Sequence, residues 1–341
     1  MVIILYHINK YITYLFIYFV ILYQNLHKNN ILHLIIIMNH PNIVIGGVGG
    51  SGTRLIAMIV ASLGLDIGND LNESYDNLTF GLFFKRRDIL KISDEDFSKL
   101  LILFEKSFLS KDYTKDEMKS IYKSTNRFKT RGMKNYFLER VNNIMLKNQP
   151  KMISDLIENY DSKIENINNS NNLNNSNIKF HLSGYGFKAP NSHIILERLI
   201  HFYPKMKYIH LIRNGLDMAF SENQNQVKLW GNMYLSELDF SNIHYASLKY
   251  WCIVHKKILE IGERMGPDNF LLINFDKMCT KPNKWLKILC KFLNISPRCS
   301  IGLKYLINPP SDSIGKFRKY DISIFDPADI AFVKELGFDI I

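Results

Sequence analysis

Apolar and polar positions alternate in different rhythms along this 341-residue chain. Ile43-Val44-Ile45 is a short unbroken apolar run and predicts a buried β-strand. Leu55, Ile56, Met58, Ile59 and Leu63 then recur at helical spacing. Met206-Lys207-Tyr208-Ile209-His210-Leu211-Ile212 and Phe270-Leu271-Leu272-Ile273-Asn274 predict two further strands. A helix carrying Ile194, Ile195, Leu196, Leu199 and Ile200 precedes the first of these. Before the second, a long helix from about Asn242 to Met265 places Tyr245, Leu248, Trp251, Val254 and Ile258 on one face. Strands separated by helices imply an α/β fold with a central, mainly parallel sheet flanked by helices. Ligands of such sheets bind beyond the C-terminal strand ends.

Other stretches carry weaker patterns. Residues 80–160 alternate apolar and charged positions at helical spacing and form a long insertion between strands. Asp161 to Asn177 is nearly pure Asn, Ser, Ile and Asp, and reads as a disordered surface loop. Residues 1–38 form a hydrophobic extension ahead of a domain at 39–341, with an apolar and aromatic run from Tyr11 to Tyr23. That run is short for a spanning helix, and no small-residue cleavage site follows it. Two readings stay open: a signal anchor over residues 1–23, which gives a membrane-anchored, Golgi-like enzyme, or translation from Met38, which gives a cytoplasmic one.

The chemistry begins where the first strand meets the first helix. Gly46-Gly47-Val48-Gly49-Gly50-Ser51-Gly52-Thr53-Arg54 is a glycine-rich turn. Such turns aim backbone N–H groups at an anion, and the helix start adds partial positive charge. A Walker A loop needs Lys and then Ser or Thr after its last glycine, where this chain has Thr53-Arg54, so a nucleotide kinase is disfavoured. A dinucleotide fingerprint is met by Gly47, Gly49 and Gly52, but Asp66 lies in a polar stretch with no strand for it to terminate. A second candidate anion site lies at Arg213-Asn214-Gly215-Leu216-Asp217, directly after the second predicted strand, with Ser221 eight residues beyond the arginine.

This strand–Arg–turn–helix–Ser arrangement resembles the 3′-phosphate clamp of the sulfotransferase superfamily. The resemblance runs from about residue 42 to the C-terminal end. GGVGGSGTRLIAMIVASLGLDIGNDLNESYDNLTFGLFFKR is similar to the first half of a sulfotransferase group, and Gly186-Phe187-Lys188-Ala189-Pro190 resembles its Lys-x-Pro element. Asn274-Phe275-Asp276-Lys277-Met278, with Lys281-Pro282, resembles the Tyr-Glu-Asp-Leu…Pro segment. Ser313-Ile314-Gly315-Lys316-Phe317-Arg318-Lys319-Tyr320 is similar to the family's Ile-Gly-Arg-Trp-Arg element. The resemblance implies a P-loop-NTPase-like three-layer fold and transfer of a sulfuryl group from 3′-phosphoadenosine 5′-phosphosulfate to a hydroxyl or amine, without a metal. The alternatives are a P-loop-like kinase and a non-catalytic nucleotide-binding relative.

Residue roles follow from the same resemblance. Gly49, Gly50, Ser51, Gly52, Thr53 and Arg54 would wrap the 5′-phosphosulfate; many relatives place a basic residue where Gly50 stands, and Arg54 is the substitute here. Arg213 and Ser221 would hold the 3′-phosphate, with Gly315, Lys316 and Arg318 adding contacts. Lys188 would contact the transferred group. A base must deprotonate the acceptor. Glu73 is the first candidate and Asp76 the second, with His193 and Asp70 in reserve. The plain structural alternatives are an Arg213–Asp217 pair at i+4, a solvated Lys188 and a Glu73 that only caps a helix.

Composition alters this picture little. A net charge of +11 suits an anionic donor and an anionic acceptor. No Arg/aromatic interleaving or zinc-finger spacing points to nucleic acid. Cys252, Cys279, Cys290 and Cys299 form no Cys-x-x-Cys pair, so free and mostly buried thiols are expected rather than a zinc site. The acceptor stays open between carbohydrate, protein tyrosine and small molecule. Oligomeric state is not legible.

Overall fold

The computed structural model describes residues 42–68, 70–108, 113–125, 185–236, 238–297, 302–307 and 313–341. The hydrophobic extension at 1–38, the Asn-rich stretch at 161–177 and Cys299 lie outside the described residues.

Strand β1 (Ile43–Gly47) leads through the glycine turn into helix α1 (Thr53–Ser62). Helices α2 (Leu78–Phe84), α3 (Asp94–Phe108) and α4 (Lys115–Thr125) occupy the described part of the predicted insertion, as its spacing implies. Strand β2 (Gly186–Lys188) follows, then α5 (Leu196–Phe202), β3 (Lys207–Ile212), α6 (Gly215–Ala219) and α7 (Asn225–Trp230). The long helix α8 (Ile243–Met265) precedes β4 (Phe270–Asn274), α9 (Phe275–Thr280), α10 (Pro282–Phe292) and α11 (Pro327–Glu335). No helix among the described residues is long and apolar enough to cross a membrane.

The four strands form one wholly parallel sheet in the order β2-β1-β3-β4. Lys188 belongs to β2 as its last residue, where the sequence suggests only a turn; three residues are too few to show a period. Asp66 also pairs, bridging to Tyr185 at the edge of the sheet, so it is not the isolated polar residue that its neighbours suggest.

Side chains alternate between two apolar layers, as pleating requires. Val44, Phe187 and Tyr208 face α2, α3 and α8. Ile43, Ile45, Ile209, Leu211 and Ile273 face α1 and α10. Cys252 and Cys290 are buried and Cys279 is half-buried, all three outside any disulfide. The register sets Gly47 of β1 beside Leu211 of β3, so both strands end at the same rim.

Candidate active site

Two glycines of the β1–α1 turn are fixed by their neighbours. A Cβ at Gly46 would lie 1.9 Å from the Tyr208 hydroxyl, and one at Gly52 would lie 2.3 Å from the Phe275 ring. Gly52 is the N-cap of α1 and is left-handed, with φ 85°. The Ser51 hydroxyl donates to the Val48 carbonyl at 2.5 Å, and its N–H donates to the same oxygen at 3.1 Å. Ser51 is fully buried and Thr53 nearly so. Ser51 therefore braces the turn from within. The Leu55 amide donates to the Gly52 carbonyl at 3.0 Å, while the amides before it at the helix start have no acceptor one turn back within the helix.

Arg54 is exposed and reaches across to the Ser74 hydroxyl at 2.7 Å. Ser74 belongs to a tight turn in which Asn72 Oδ1 accepts from the Ser74 and Asp76 amides, at 2.9 Å each. Asn77 closes the turn, capping α2 through the Phe80 amide at 2.8 Å while its own N–H donates to the Lys188 carbonyl at 2.8 Å. The Lys188 side chain is 2% exposed. Its ammonium donates to the Ser74 carbonyl at 3.0 Å and pairs with the Asp76 carboxylate. Burial pushes Lys188 below the ordinary lysine value, against the opposing pull of Asp76.

Among the four candidate bases, Asp76 is the acid that touches Lys188. Glu73 stands exposed at the crest of the same turn. His193 is buried, with Nδ1 2.6 Å from the Pro190 carbonyl oxygen and Nε2 3.2 Å from the Tyr250 hydroxyl. Burial lowers its pKa to about 4. Asp70 accepts from the Thr79 hydroxyl at 2.9 Å.

The second cradle begins where β3 ends. Arg213 Nη1 donates to the Gly50 carbonyl at 3.3 Å, and Nη2 donates to the Ser313 carbonyl. Its Nε is buried without a partner. Arg213 thus ties the glycine turn to the C-terminal element. Asp217 does not pair with it. One Asp217 oxygen accepts from the Gly315 amide at 2.8 Å and the other from the Phe317 amide at 2.9 Å. Asp276 lies near enough to Arg213 to feel its charge. Burial raises the Asp276 pKa to about 6, with Asp217 adding to the rise and Arg213 opposing it.

Ser221 sits just beyond α6, half-buried, and accepts from the Asn223 amide at 3.3 Å. Gly315 opens a short 3₁₀ turn over Lys316–Lys319. Arg318 is turned toward the end of the described chain: Nε donates to the Ile341 carbonyl at 2.8 Å, and Nη2 lies 3.8 Å from Asp339. Together with Asn214, Asn274, Asp276 and Lys277 it lines a cleft of about 160 Å³.

Sequence reasoning missed two supports. Gln226 packs so closely on Gly49 that a Cβ there would lie 2.9 Å from its Nε2. That amide is held by Asn191, which also takes the Trp230 indole N–H at 2.8 Å. Asn191 directly follows the Lys-x-Pro element, which is the only hint that the sequence offers. Among the described residues no group of three or more His, Cys, Asp or Glu is placed to hold a metal.

Sheet order, glycine turn and the arginine at the neighbouring strand end define a P-loop-like three-layer α/β enzyme. The sulfotransferase family profile Sulfotransfer_3 matches residues 41–297, and the chain belongs to that family; it is a sulfotransferase. No curated protein sequence matches it. Among solved structures it is similar to the sulfotransferase domain of the Synechococcus PCC 7002 olefin synthase, at 15% identity and TM-score 0.44, over 89% of this chain and 97% of that one. The sulfotransferase domain of the curacin biosynthetic pathway gives 16% identity and TM-score 0.41, over 89% and 99%. A sulfotransferase from Alicyclobacillus acidocaldarius gives 15% and 0.39, over 88% and 97%.

Proposed function

We propose that the donor is 3′-phosphoadenosine 5′-phosphosulfate and that its sulfuryl group passes to an acceptor hydroxyl or amine by in-line displacement. The observation that carries this reading is the 3.3 Å bond from Arg213 to the Gly50 carbonyl. It puts the arginine of one anion cradle against the glycine turn of the other, within reach of a single nucleotide anionic at both its 5′ and 3′ positions.

Each residue then has a task. Amides of the glycine turn other than that of Ser51, which is spent on Val48, receive the 5′-phosphosulfate at the start of α1. Arg213 has a buried Nε with no internal partner, and its planar fork suits a phosphate. Ser221, just beyond α6, supplies a hydroxyl to the same phosphate, with Lys316 from the C-terminal element. Lys188 places fixed positive charge where negative charge gathers in transfer, and such preorganised charge is a large catalytic term. Asp76 is the acid we assign to the acceptor's proton, in place of Glu73, because it is the carboxylate set against Lys188. The proton leaves the acceptor's hydroxyl or amine for Asp76 as the oxygen or nitrogen bonds to sulfur, and the bond from sulfur to the bridging oxygen of the donor breaks.

The test is a titration with 3′,5′-adenosine bisphosphate and with 5′-AMP. Wild-type protein should prefer the bisphosphate, and Arg213→Ala should lose that preference and raise the donor KM by about tenfold to a hundredfold. Equal affinity for both nucleotides in the wild type would sink the two-cradle reading. Magnesium-dependent ATP hydrolysis would favour a kinase instead.

A further inference from the structure

From Lys277 to Ser311 the sequence carries Lys277, Lys281, Lys284, Lys287, Lys291, Arg298 and Lys304, and no Asp or Glu until Asp312. This is too one-sided for an ordinary solvated surface, where both signs intersperse. The fold makes it a surface feature. On α10, Leu286, Leu289, Cys290 and Phe292 are buried, while Lys284, Lys287 and Lys291 are exposed. Positions three and four apart share a helix face, so these three ammonium groups stand in a row about 5 Å apart along the axis. Lys281 stands at the N-cap of α10, and Lys277 of α9 lines, with Arg318, the cleft that holds Arg213's neighbour Asp276. Among the described residues none of these five lysines forms an ion pair.

The neighbouring 3₁₀ turn Leu303–Leu306 adds Lys304 and Tyr305. Leu303 and Leu306 pack in the same apolar layer as α10. Tyr305 is 61% exposed, and the Lys304 ammonium lies 5.0 Å from its ring centroid. An exposed aromatic ring inside a basic face offers a stacking platform for the C–H face of a sugar.

We propose that this face docks a linear acidic polysaccharide, running along α10 toward the catalytic rim. A single row of charges spaced by helix turns matches a linear polyanion. A bilayer surface fits less well, because the apolar side of α10 is already buried in the core and has nothing left to insert. A single nucleic-acid strand fits less well too, since it calls for successive stacking rings and, among the described residues, Tyr305 is the exposed ring of this face. The choice of polysaccharide rests on the sulfotransfer reading, because that polymer brings acceptor hydroxyls together with its anionic groups.

The experiment measures binding of heparin, random-sequence duplex DNA and phosphatidylserine vesicles to the full chain. It uses wild type, Lys284→Glu/Lys287→Glu/Lys291→Glu, and the milder Gln set at the same positions. Heparin should bind tightest of the three, with affinity falling steeply as salt rises. The Glu set should weaken it by about a hundredfold and the Gln set by about tenfold, each displaced counterion partner adding to the loss. Bisphosphate binding and the thermal midpoint should stay at the wild-type level, which separates this surface from the donor site. Wild-type heparin affinity in the Gln set would overturn the proposal, as would tighter binding of DNA or vesicles than of heparin. Loss of bisphosphate binding in the wild type would strike the sulfotransfer reading and leave the measured polyanion binding standing.

Discussion

Lys188 and Asp76 form an ion pair in the site, and their separate roles can be parted by substitution. Asp76→Asn should lower kcat by about a hundredfold or more, the usual worth of a positioned base. Glu73→Gln should leave kcat within about twofold, since its side chain stands in solvent. Lys188→Ala should lower kcat by about a hundredfold with little change in KM, as expected for charge felt mainly in the transition state. Steady-state kinetics with saturating donor reads all three, and equal loss from Glu73 and Asp76 variants would reverse their assignment. Asp276 adds a pH effect. With its pKa near 6, it is charged above that value and offsets Arg213, and it is neutral below. Donor KM should therefore fall by about threefold to tenfold from pH 8 to 5.5, and Asp276→Asn should hold the low value throughout.

At the scale of elements, Asp217 is what joins α6 to the C-terminal 3₁₀ turn. Its two oxygens cap two amides that belong to residues far along the chain. Asp217→Ala would leave both amides unpaired in a buried setting and should cost about 3 kcal/mol of stability. It should also raise the donor KM, because Gly315 and Lys316 lose their anchor. Chemical denaturation alongside donor binding checks both, and an unchanged midpoint would show the contact to be dispensable. This element also shows where sequence reading stops. Spacing put Asp217 one helix turn after Arg213 and so suggested an ion pair, yet its true partners lie at residues 315 and 317. Strands β1, β3 and β4 were legible as apolar runs, and helix α8 by its helical period. β2 was hidden by its three-residue length, and Asn191 and Gln226 by having no pattern at all. The glycine turn and Arg213 were legible as motifs. The inward turn of Ser51 was not, because hydroxyl direction depends on packing against Val48 and Met218.

Across the whole molecule, three buried histidines form a layer between the sheet and α8. His210 lies in β3 with its ring centroid 6.4 Å from that of His193 and 5.3 Å from that of His255. Both His210 nitrogens and Nε2 of His255 are buried without partners. Burial lowers all three pKa values, to about 4 for His193 and about 3 for His255. They are neutral in the fold and take up protons near pH 6.5 when the chain unfolds. Unfolding thus binds protons below pH 6.5, and stability should fall as pH drops toward 4 by about 1.4 kcal/mol per unit for each histidine. Urea midpoints across that window test this: His210→Gln should flatten the slope, and an identical slope in that variant would remove the histidine layer from the explanation.

The sheet order carries a consequence for synthesis. β1 is made long before both of its hydrogen-bonding neighbours, which arrive at Gly186–Lys188 and Lys207–Ile212. Until the ribosome has released β3, β1 lacks its full pair of partners, and Arg213, which ties to the glycine turn at Gly50, has not yet been made. Nascent chains stalled before residue 212 should therefore need chaperone shelter, while those stalled beyond it can start to close around β1.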